Sequence, residues 1–229
     1  MAPAPNKDVV RKFVKRLDAG IGFHEELLLA VHLKTHQASL ETMLAEQFVL
    51  NTAVLWEVFL SDILLAYMIM SPRPYLKTLK TKMLQSIKDR FGTEAARCVG
   101  VDLPARPSLA VAASYADPKN FNITVNSAEA LKKRANELLA AQHAKRFTLA
   151  AEDAQFVDFL VAMRNYLGHR SDAARVRLRE VVSPLVGQNI TLKASVANVG
   201  AYLKARDVNG EQRAVFIAKR VMAVAKLLA

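Results

Sequence analysis

The stretch FVLNTAVLWEVFLSDILLAYMIM (48–70) is the longest apolar run in the 229-residue chain. It belongs to a longer segment, from Ser39 to Met70, that contains neither glycine nor proline. Such a segment predicts one long helix with Ser39 as its N-cap. The sequence SPRP (71–74) should end this helix, because proline lacks an amide donor and disfavours helical geometry in the residue before it.

The same run is long enough to cross a lipid bilayer. Glu57 and Asp62 lie near its middle, however, and a carboxylate at the bilayer centre costs about 2.5–3.5 kcal/mol on insertion scales. The first twenty residues also lack an apolar run of signal-peptide length. We therefore expect the long helix to form the core of a soluble, cytoplasmic protein that has no membrane partner.

Helical patterns recur on both sides of this run, and strand-like alternation is scarce. Val10, Phe13, Val14 and Leu17 follow the i, i+3, i+4, i+7 spacing of an amphipathic helix. Further helices are predicted over about 75–91, from an N-cap at Ser127, through EDAQFVDFLVAMRNYLGH (152–169), over about 172–182, and along Ile217, Val221, Val224 and Leu228. The chain is therefore expected to be an all-α bundle with additional helices.

Two long connections separate these helices. Residues 100–126 contain three prolines and are predicted to be irregular. Residues 184–210 leave two readings open, since 190–192 could be extended and 195–205 could be helical, and Asn209-Gly210 indicates a turn.

The positive charge is unevenly distributed. The chain carries 32 Lys/Arg against 21 Asp/Glu, a net charge of +11 with a pI near 9.9. Residues 1–118 hold 14 Lys/Arg and 12 Asp/Glu, a net +2, whereas residues 119–229 hold 18 and 9, a net +9. Such an excess favours polyanions such as nucleic acid or acidic lipid. We expect the polyanion-binding surface in the second half of the chain.

Motifs of the common nucleotide-binding and hydrolase folds, such as GxGxxG, GxxxxGK[ST], HExxH and GxSxG, do not occur in the sequence. Cys98 is the single cysteine, which excludes an intramolecular disulfide. His32 and His36 are four residues apart and could share a helix face, but no third ligand candidate lies near them. We therefore expect neither a metal nor a cofactor.

The stretch FVDFLVAMRNYLGHRSDAA (156–174) is the richest in chemistry. On a helix, Asn165 and His169 lie one turn apart on nearly one face, and Arg164 lies about 140° round and about 7.5 Å along from His169. Gly168 could let the helix loosen and turn the imidazole toward the arginine. A histidine can accept the proton of a ribose 2′-hydroxyl, and an arginine can bind the phosphate oxygens as charge develops on them. A two-fold dimer would supply the second histidine, which acts as the acid.

These residues also permit a purely structural interpretation. Cations at the C-terminus of a helix favourably face the negative end of its dipole. Arg164 could equally neutralise Glu57 or Asp62 in the core.

The segment RNYLGHRS (164–171) resembles the signature of the HEPN superfamily: an arginine, a polar residue such as asparagine, a short spacer, and a histidine near the helix end. The order of the preceding segments, WEVFLSD (56–62) and NITVNSAEALKKRANELL (122–139), also looks like that of RiboL-PSP-type and related HEPN proteins. The resemblance covers roughly residues 40–180. It implies a single HEPN-like domain over 1–229, with a bundle core at about 40–180 and a C-terminal extension, 184–229, packed on that core.

The resemblance further implies a metal-independent endoribonuclease that dimerises through the signature helices, in a toxin or phage-defence setting, with an antitoxin or defence-system partner. By position, Arg164 and His169 would be the catalytic pair and Asn165 a supporting residue. An acidic or polar residue on an earlier helix commonly faces such a site; Glu57 is the first candidate, with Asp62 or Ser61 as alternates.

Ser171 stands where HEPN toxins paired with a nucleotidyltransferase carry the modified tyrosine, so control through that residue is not expected. Arg170, Arg175 and Arg177 follow the signature and are predicted to contact RNA. The alternative is a non-catalytic helical RNA-binding or dimerisation module, in which the same residues make phosphate and core contacts.

Overall fold

The computed structural model describes residues 5–116, 123, 125–182, 198–207 and 210–229, and this part of the chain is built from helices. In chain order the α-helices are α1 (Pro5–Val31), α2 (Gln37–Met70), α3 (Arg73–Cys98), α4 (Leu109–Ala116), α5 (Ala128–Leu138), α6 (Ala141–Ala144), α7 (Ala151–His169), α8 (Asp172–Val182), α9 (Val199–Lys204) and α10 (Arg213–Leu227). A 3-10 turn, Lys145–Phe147, follows α6. Apart from one isolated bridge, the described residues form no β structure, so the predicted all-α class is confirmed.

The predicted long helix is α2, and it ends where the prolines require. Its C-cap residue, Ser71, donates its backbone N–H to the Tyr67 carbonyl. Its start differs from the prediction. His36 adopts a left-handed conformation with φ 64° and is the N-cap, so Ser39 lies inside the first turn and does not cap the helix.

Helix α3 begins at Arg73, and the helix predicted over about 75–91 is interrupted at Gly92 but does not end there. Gly92 has φ 88° and ψ 172°, a backbone conformation that L side chains rarely adopt, and the chain resumes helical geometry beyond it as far as Cys98. The N-cap predicted at Ser127 is confirmed, since Ser127 Oγ accepts a hydrogen bond from the Ala130 N–H at 3.0 Å.

The two long connections are partly helical. Helix α4 lies inside the stretch 100–126, and α9 occupies part of 195–205. The extended reading of 190–192 lies outside the described residues, as does Asn209 of the predicted turn. Gly210 itself has φ 79°, and its N–H donates to the Asp207 carbonyl at 3.1 Å.

One hydrophobic core joins the N-terminal, central and C-terminal helices. Its centre is aromatic: the Phe13 ring of α1 stacks on Phe59 of α2 with centroids 4.4 Å apart, and Trp56 lies 5.3 Å from Phe59. Helix α10 contributes Ile217 and Val221 to the same core. Each such side chain stabilises the fold by about 1.5–3 kcal/mol when it is fully buried.

The apolar part of α2 is itself largely buried inside the protein. Among the described helices, α2 is the one that is long and apolar enough to cross a membrane, and 56% of its most apolar 18-residue window is buried inside the protein.

Helices α2 and α7 run antiparallel, because three pairs of contacting residues occur in opposite order along them. Tyr67 meets Phe147, just before α7; Glu57 pairs with Arg164; Glu46 pairs with Arg170, just after α7. The C-terminal end of α7 therefore lies beside the N-terminal half of α2, and the far end of α2 leads into α3.

Candidate functional site at the end of helix α7

Arg164 lies in the interface between α7 and α2, and two side chains fix its direction. Its Nε lies 3.2 Å from Glu57 Oε1, and Nη2 donates to Glu57 Oε2 at 3.5 Å. A third group, Nη1, donates to Asn165 Oδ1 at 3.1 Å. The side chains of Arg164 and Glu57 are 33% and 31% exposed, so this ion pair remains open to solvent and to a ligand.

Of the candidates that the sequence offered on an earlier helix, the structure brings Glu57 to Arg164. Asp62 is five residues further along α2, about 140° round the helix, and lies at a groove of about 520 Å³ against α1. Burial raises the pKa of the Asp62 carboxyl, and the charge of Lys12 opposes that shift. Ser61 is buried, and its Oγ accepts from the Ile123 N–H at 3.3 Å.

His169 is the last residue of α7, and it is exposed. Within the described part of the chain its imidazole has no hydrogen-bond or ion-pair partner, and it does not contact Arg164. The expectation that Gly168 loosens the helix is wrong, because α7 continues through Gly168 and the residue with positive φ is Arg170, at 52°. The Arg164 and His169 side chains of one chain therefore keep the separation of a regular helix.

Arg170 ends α7 as a left-handed C-cap, with its N–H donating to the Tyr166 carbonyl at 2.8 Å. Its guanidinium lies 5.3 Å from the centroid of the buried Tyr166 ring, and Nη2 lies 2.5 Å from Glu46 Oε2. The hydrogen bond that Arg170 donates to Glu46 is the largest cause that raises the pKa of Arg170. Arg170 therefore anchors the end of α7 on α2, and contact with RNA would have to compete with that ion pair.

The two predicted RNA-contacting arginines on α8 lie on different sides of that helix. Leu178 faces the core, and helical geometry places Arg175 about 60° to one side of it and Arg177 about 100° to the other. Arg175 pairs with Asp172 at 3.5 Å, and Arg177 pairs with Glu180 at 3.1 Å. The residue that shares a side with Arg175 is Arg179, four positions along.

One residue of this region was not predicted as a site residue. Glu46 lies 124 positions from Arg170, and no local sequence feature points to the pair. Ser171 Oγ accepts from the Ala174 N–H at 3.2 Å and thereby caps the start of α8.

The arrangement at the end of α7 combines an oriented guanidinium, an amide that accepts from it, and an unpartnered imidazole one helical turn further on. These groups can bind a phosphodiester and transfer a proton. In the described residues no group of three or more His, Cys, Asp or Glu side chains could hold a metal ion. Comparison with protein-family models, curated proteins and solved structures finds no match for this chain.

Proposed function

We propose that this protein is a metal-independent endoribonuclease of the HEPN type, with Arg164 and His169 as its catalytic residues. The observation that carries the proposal is the pairing of an arginine held by Glu57 and Asn165 with an exposed, unpartnered histidine on the same helix. A fixed cation and a free imidazole are the groups that cleavage of RNA by its own 2′-hydroxyl requires.

In the proposed reaction the 2′-oxygen of a ribose attacks the adjacent phosphorus while one His169 accepts the hydroxyl proton. The bond from phosphorus to the 5′-oxygen breaks, and a second His169 donates a proton to the departing oxygen. The products are a 2′,3′-cyclic phosphate and a 5′-hydroxyl. Arg164 binds the non-bridging phosphate oxygens, on which negative charge increases in the transition state.

The second histidine comes from a second copy of the chain, because one α7 supplies only one. The proposed homodimer is two-fold and places the ends of both α7 helices at a common cleft. The exposure of His169 and of Val176, which is 53% exposed on the adjacent α8, leaves this end of the molecule uncovered in the single chain. Asn165 and Glu57 act as positioning residues for Arg164, and RNA is the partner.

We further propose a cytoplasmic toxin or phage-defence role with an antitoxin or defence-system partner, which rests on the resemblance of RNYLGHRS to the HEPN signature. Ser171 caps a helix and has no phenolic group, so the proposal excludes control by nucleotidylation of a tyrosine at that position.

One observation favours a second function, a non-catalytic helical RNA-binding or dimerisation module. The guanidinium of Arg164 already has two protein partners, as expected of a structural ion pair between helices. In this case RNA binding depends on salt, no cleavage occurs, and His169 has no catalytic role.

The test uses the purified full-length chain with structured and single-stranded RNA in the presence of a chelator. We expect cleavage that leaves 2′,3′-cyclic phosphate ends and falls at least 100-fold in His169→Ala and in Arg164→Ala. The matched control is His32→Gln, which removes an exposed histidine elsewhere and should leave the rate unchanged. Activity that persists unchanged in both site variants, or a chain that binds RNA without cleaving it, would overturn the catalytic proposal.

A further inference from the structure

Helix α3 is the least buried long helix of the described chain and carries a strong positive charge. Only Tyr75 of its 26 residues is buried. The helix contains seven Lys/Arg and two Asp/Glu, a net +5 that is hidden in the net +2 of residues 1–118. Charge that is neither buried nor locally neutralised lies where a ligand can reach it.

Four of these cations form a line along one face. Helical geometry places Arg73, Lys77, Lys80 and Lys88 within an arc of about 80° and over an axial length of about 22 Å. All four side chains are exposed, and in the described part of the chain none has a carboxylate partner. The cations of α3 that do form ion pairs lie elsewhere on the helix: Lys82 with Glu137, and Arg97 with Glu94. We refer to the four as the α3 cation stripe.

The apolar residues of α3 argue against a membrane as its partner. Tyr75 is buried, and Leu76, Leu79, Leu84 and Ile87 are half-buried, which leaves Met83 and Phe91 as the large apolar side chains that are clearly exposed on the helix. A helix that lies in a membrane interface needs a continuous apolar face to insert. The apolar side chains of α3 are mostly half-buried against the protein, whereas the cations are fully exposed, and a line of exposed cations suits the phosphate backbone of a nucleic acid.

We infer that the α3 cation stripe is a second binding surface for RNA. Its four cations bind the phosphates of a duplex stem at a distance from the cleavage site. RNA as the polyanion rests on the proposed function. The exposed aromatic ring nearest the stripe is Phe91, which lies at its end beyond Lys88. Double-stranded RNA is recognised chiefly by its shape and its phosphates, so a row of cations suffices to bind it.

The position of the stripe sets the length of RNA that can contact both surfaces. Arg170, at the end of α7, lies level with Glu46 of α2, whereas Arg73 follows the far end of α2. The 24 residues from Glu46 to Met70 correspond to about 36 Å along the helix axis. That distance is comparable to one turn of a nucleic-acid duplex. A stem shorter than half a turn can therefore contact one surface but not both.

The experiment measures binding of RNA hairpins with 4 and 16 base pairs to full-length protein carrying His169→Ala, so that cleavage does not interfere. The test variant replaces Arg73, Lys77, Lys80 and Lys88 by glutamine. The matched control replaces four exposed lysines elsewhere by glutamine, for the same loss of charge: Lys7, Lys15, Lys34 and Lys226. Anionic and neutral phospholipid vesicles form a parallel arm.

We expect the stripe variant to bind the long hairpin roughly 10–100-fold more weakly at about 0.1 M salt, with a salt dependence reduced by about three units in log–log slope. Its affinity for the short hairpin should fall by a smaller factor, and the control should change both affinities by less than about threefold. The inference is overturned if stripe and control variants behave alike, if both hairpins lose affinity equally, or if the stripe affects vesicles and not RNA.

These outcomes separate the inference from the proposed function. A wild-type chain that does not cleave RNA, but whose stripe variant loses affinity for the long hairpin, overturns the nuclease and supports the stripe. Cleavage that depends on Arg164 and His169, together with unchanged RNA binding by the stripe variant, overturns the stripe alone.

Discussion

Arg164 of α7 and Glu57 of α2, 107 positions apart in the sequence, form an ion pair with Nε and Oε1 3.2 Å apart. Both side chains are about one-third exposed. Exposed pairs of this kind typically stabilise a fold by less than about 1 kcal/mol. The pair therefore contributes more to the direction of the guanidinium than to the stability of the bundle.

The substitution Glu57→Gln tests whether the ion pair mainly orients the guanidinium of Arg164 or mainly stabilises the bundle. The substitution preserves shape and removes the charge that orients Arg164. We expect the free energy of unfolding to fall by less than about 1 kcal/mol and RNA cleavage to fall about 10–100-fold, because misplacement of a binding group is costly in rate. Denaturant unfolding and a cleavage assay provide the two measurements. The control, Glu211→Gln, breaks a surface pair with Lys219 and should not affect cleavage.

If Glu57→Gln cleaves RNA at the wild-type rate, the carboxylate of Glu57 does not position Arg164. A loss of several kcal/mol of stability would instead make the pair a structural element and favour the non-catalytic alternative.

Replacing glycine by alanine should change the stability of the protein in opposite directions at Gly168 and at Gly200. A Cβ added at Gly168 meets no atom within 4 Å, and the residue is helical. Gly168→Ala should therefore stabilise the protein by about 0.4–1 kcal/mol, because alanine restricts the unfolded chain. A Cβ added at Gly200 would overlap the side chains of Thr42 and Glu46. Gly200→Ala should destabilise the protein by about 1–3 kcal/mol.

Thermal and denaturant unfolding of both variants check this prediction. Cleavage by Gly168→Ala should stay within about threefold of wild type, because the helix is already regular at that position. A large loss of cleavage without a loss of stability would mean that the site needs the flexibility, or the close approach, that glycine allows.

Local features of the sequence predicted the main helices. Helix α2 follows from the lack of glycine and proline between Ser39 and Met70 and from the SPRP segment that ends it. The N-cap Ser127 marks the start of α5, and the apolar spacing that begins at Ile217 marks α10. The pairing of Glu57 with Arg164 was among the alternatives because few carboxylates lie on an apolar helix. The helix predictions succeeded because their causes lie within about one helical turn of the residues concerned.

Other features depend on distant residues and could not be read from local patterns. The Glu46–Arg170 contact depends on the antiparallel docking of α7 on α2, and the boundary at His36 depends on a turn that follows α1. The α3 cation stripe was not predicted, because the net charge of residues 1–118 combines the cations of α3 with the acidic residues of α1 and α2. Which charges lie free on the surface follows only from packing.

Tyr67 and Tyr75 are both buried, and their hydroxyl groups differ in whether they have hydrogen-bond partners. The Tyr67 hydroxyl donates to the Leu228 carbonyl at 2.9 Å and accepts from Asn6 Nδ2 at 3.0 Å, which joins α1, α2 and the chain's last residues. Tyr67→Phe leaves both partners buried without that hydroxyl and should cost about 1–3 kcal/mol.

In the described part of the chain the buried Tyr75 hydroxyl has no hydrogen-bond partner. Tyr75→Phe should therefore be neutral or slightly stabilising. Denaturant unfolding compares the two variants, and an equal cost at both positions would refute the importance of the Tyr67 contacts.

His24 predicts that the protein loses stability in mild acid. Its ring is buried, stacks on Phe48 with centroids 4.4 Å apart, and donates from Nε2 to Gln212 Oε1 at 2.6 Å, since that oxygen can only accept. Burial is the largest influence and lowers the pKa of His24 below the ordinary value of 6.5, although the hydrogen bond to Gln212 acts in the opposite direction.

Because the folded pKa lies below the unfolded one, the unfolded chain binds the proton first as the pH falls. The stability that neutral His24 contributes is fully present above about pH 6.5 and declines as the pH decreases toward the folded pKa. Urea unfolding at pH 7.5 and 5.5 should show a lower free energy of unfolding at pH 5.5. In His24→Gln that difference should shrink even if the variant is less stable at both pH values. His169→Gln, which removes an exposed histidine, should retain the full wild-type difference; an unchanged pH dependence in His24→Gln would assign the acid sensitivity to other groups.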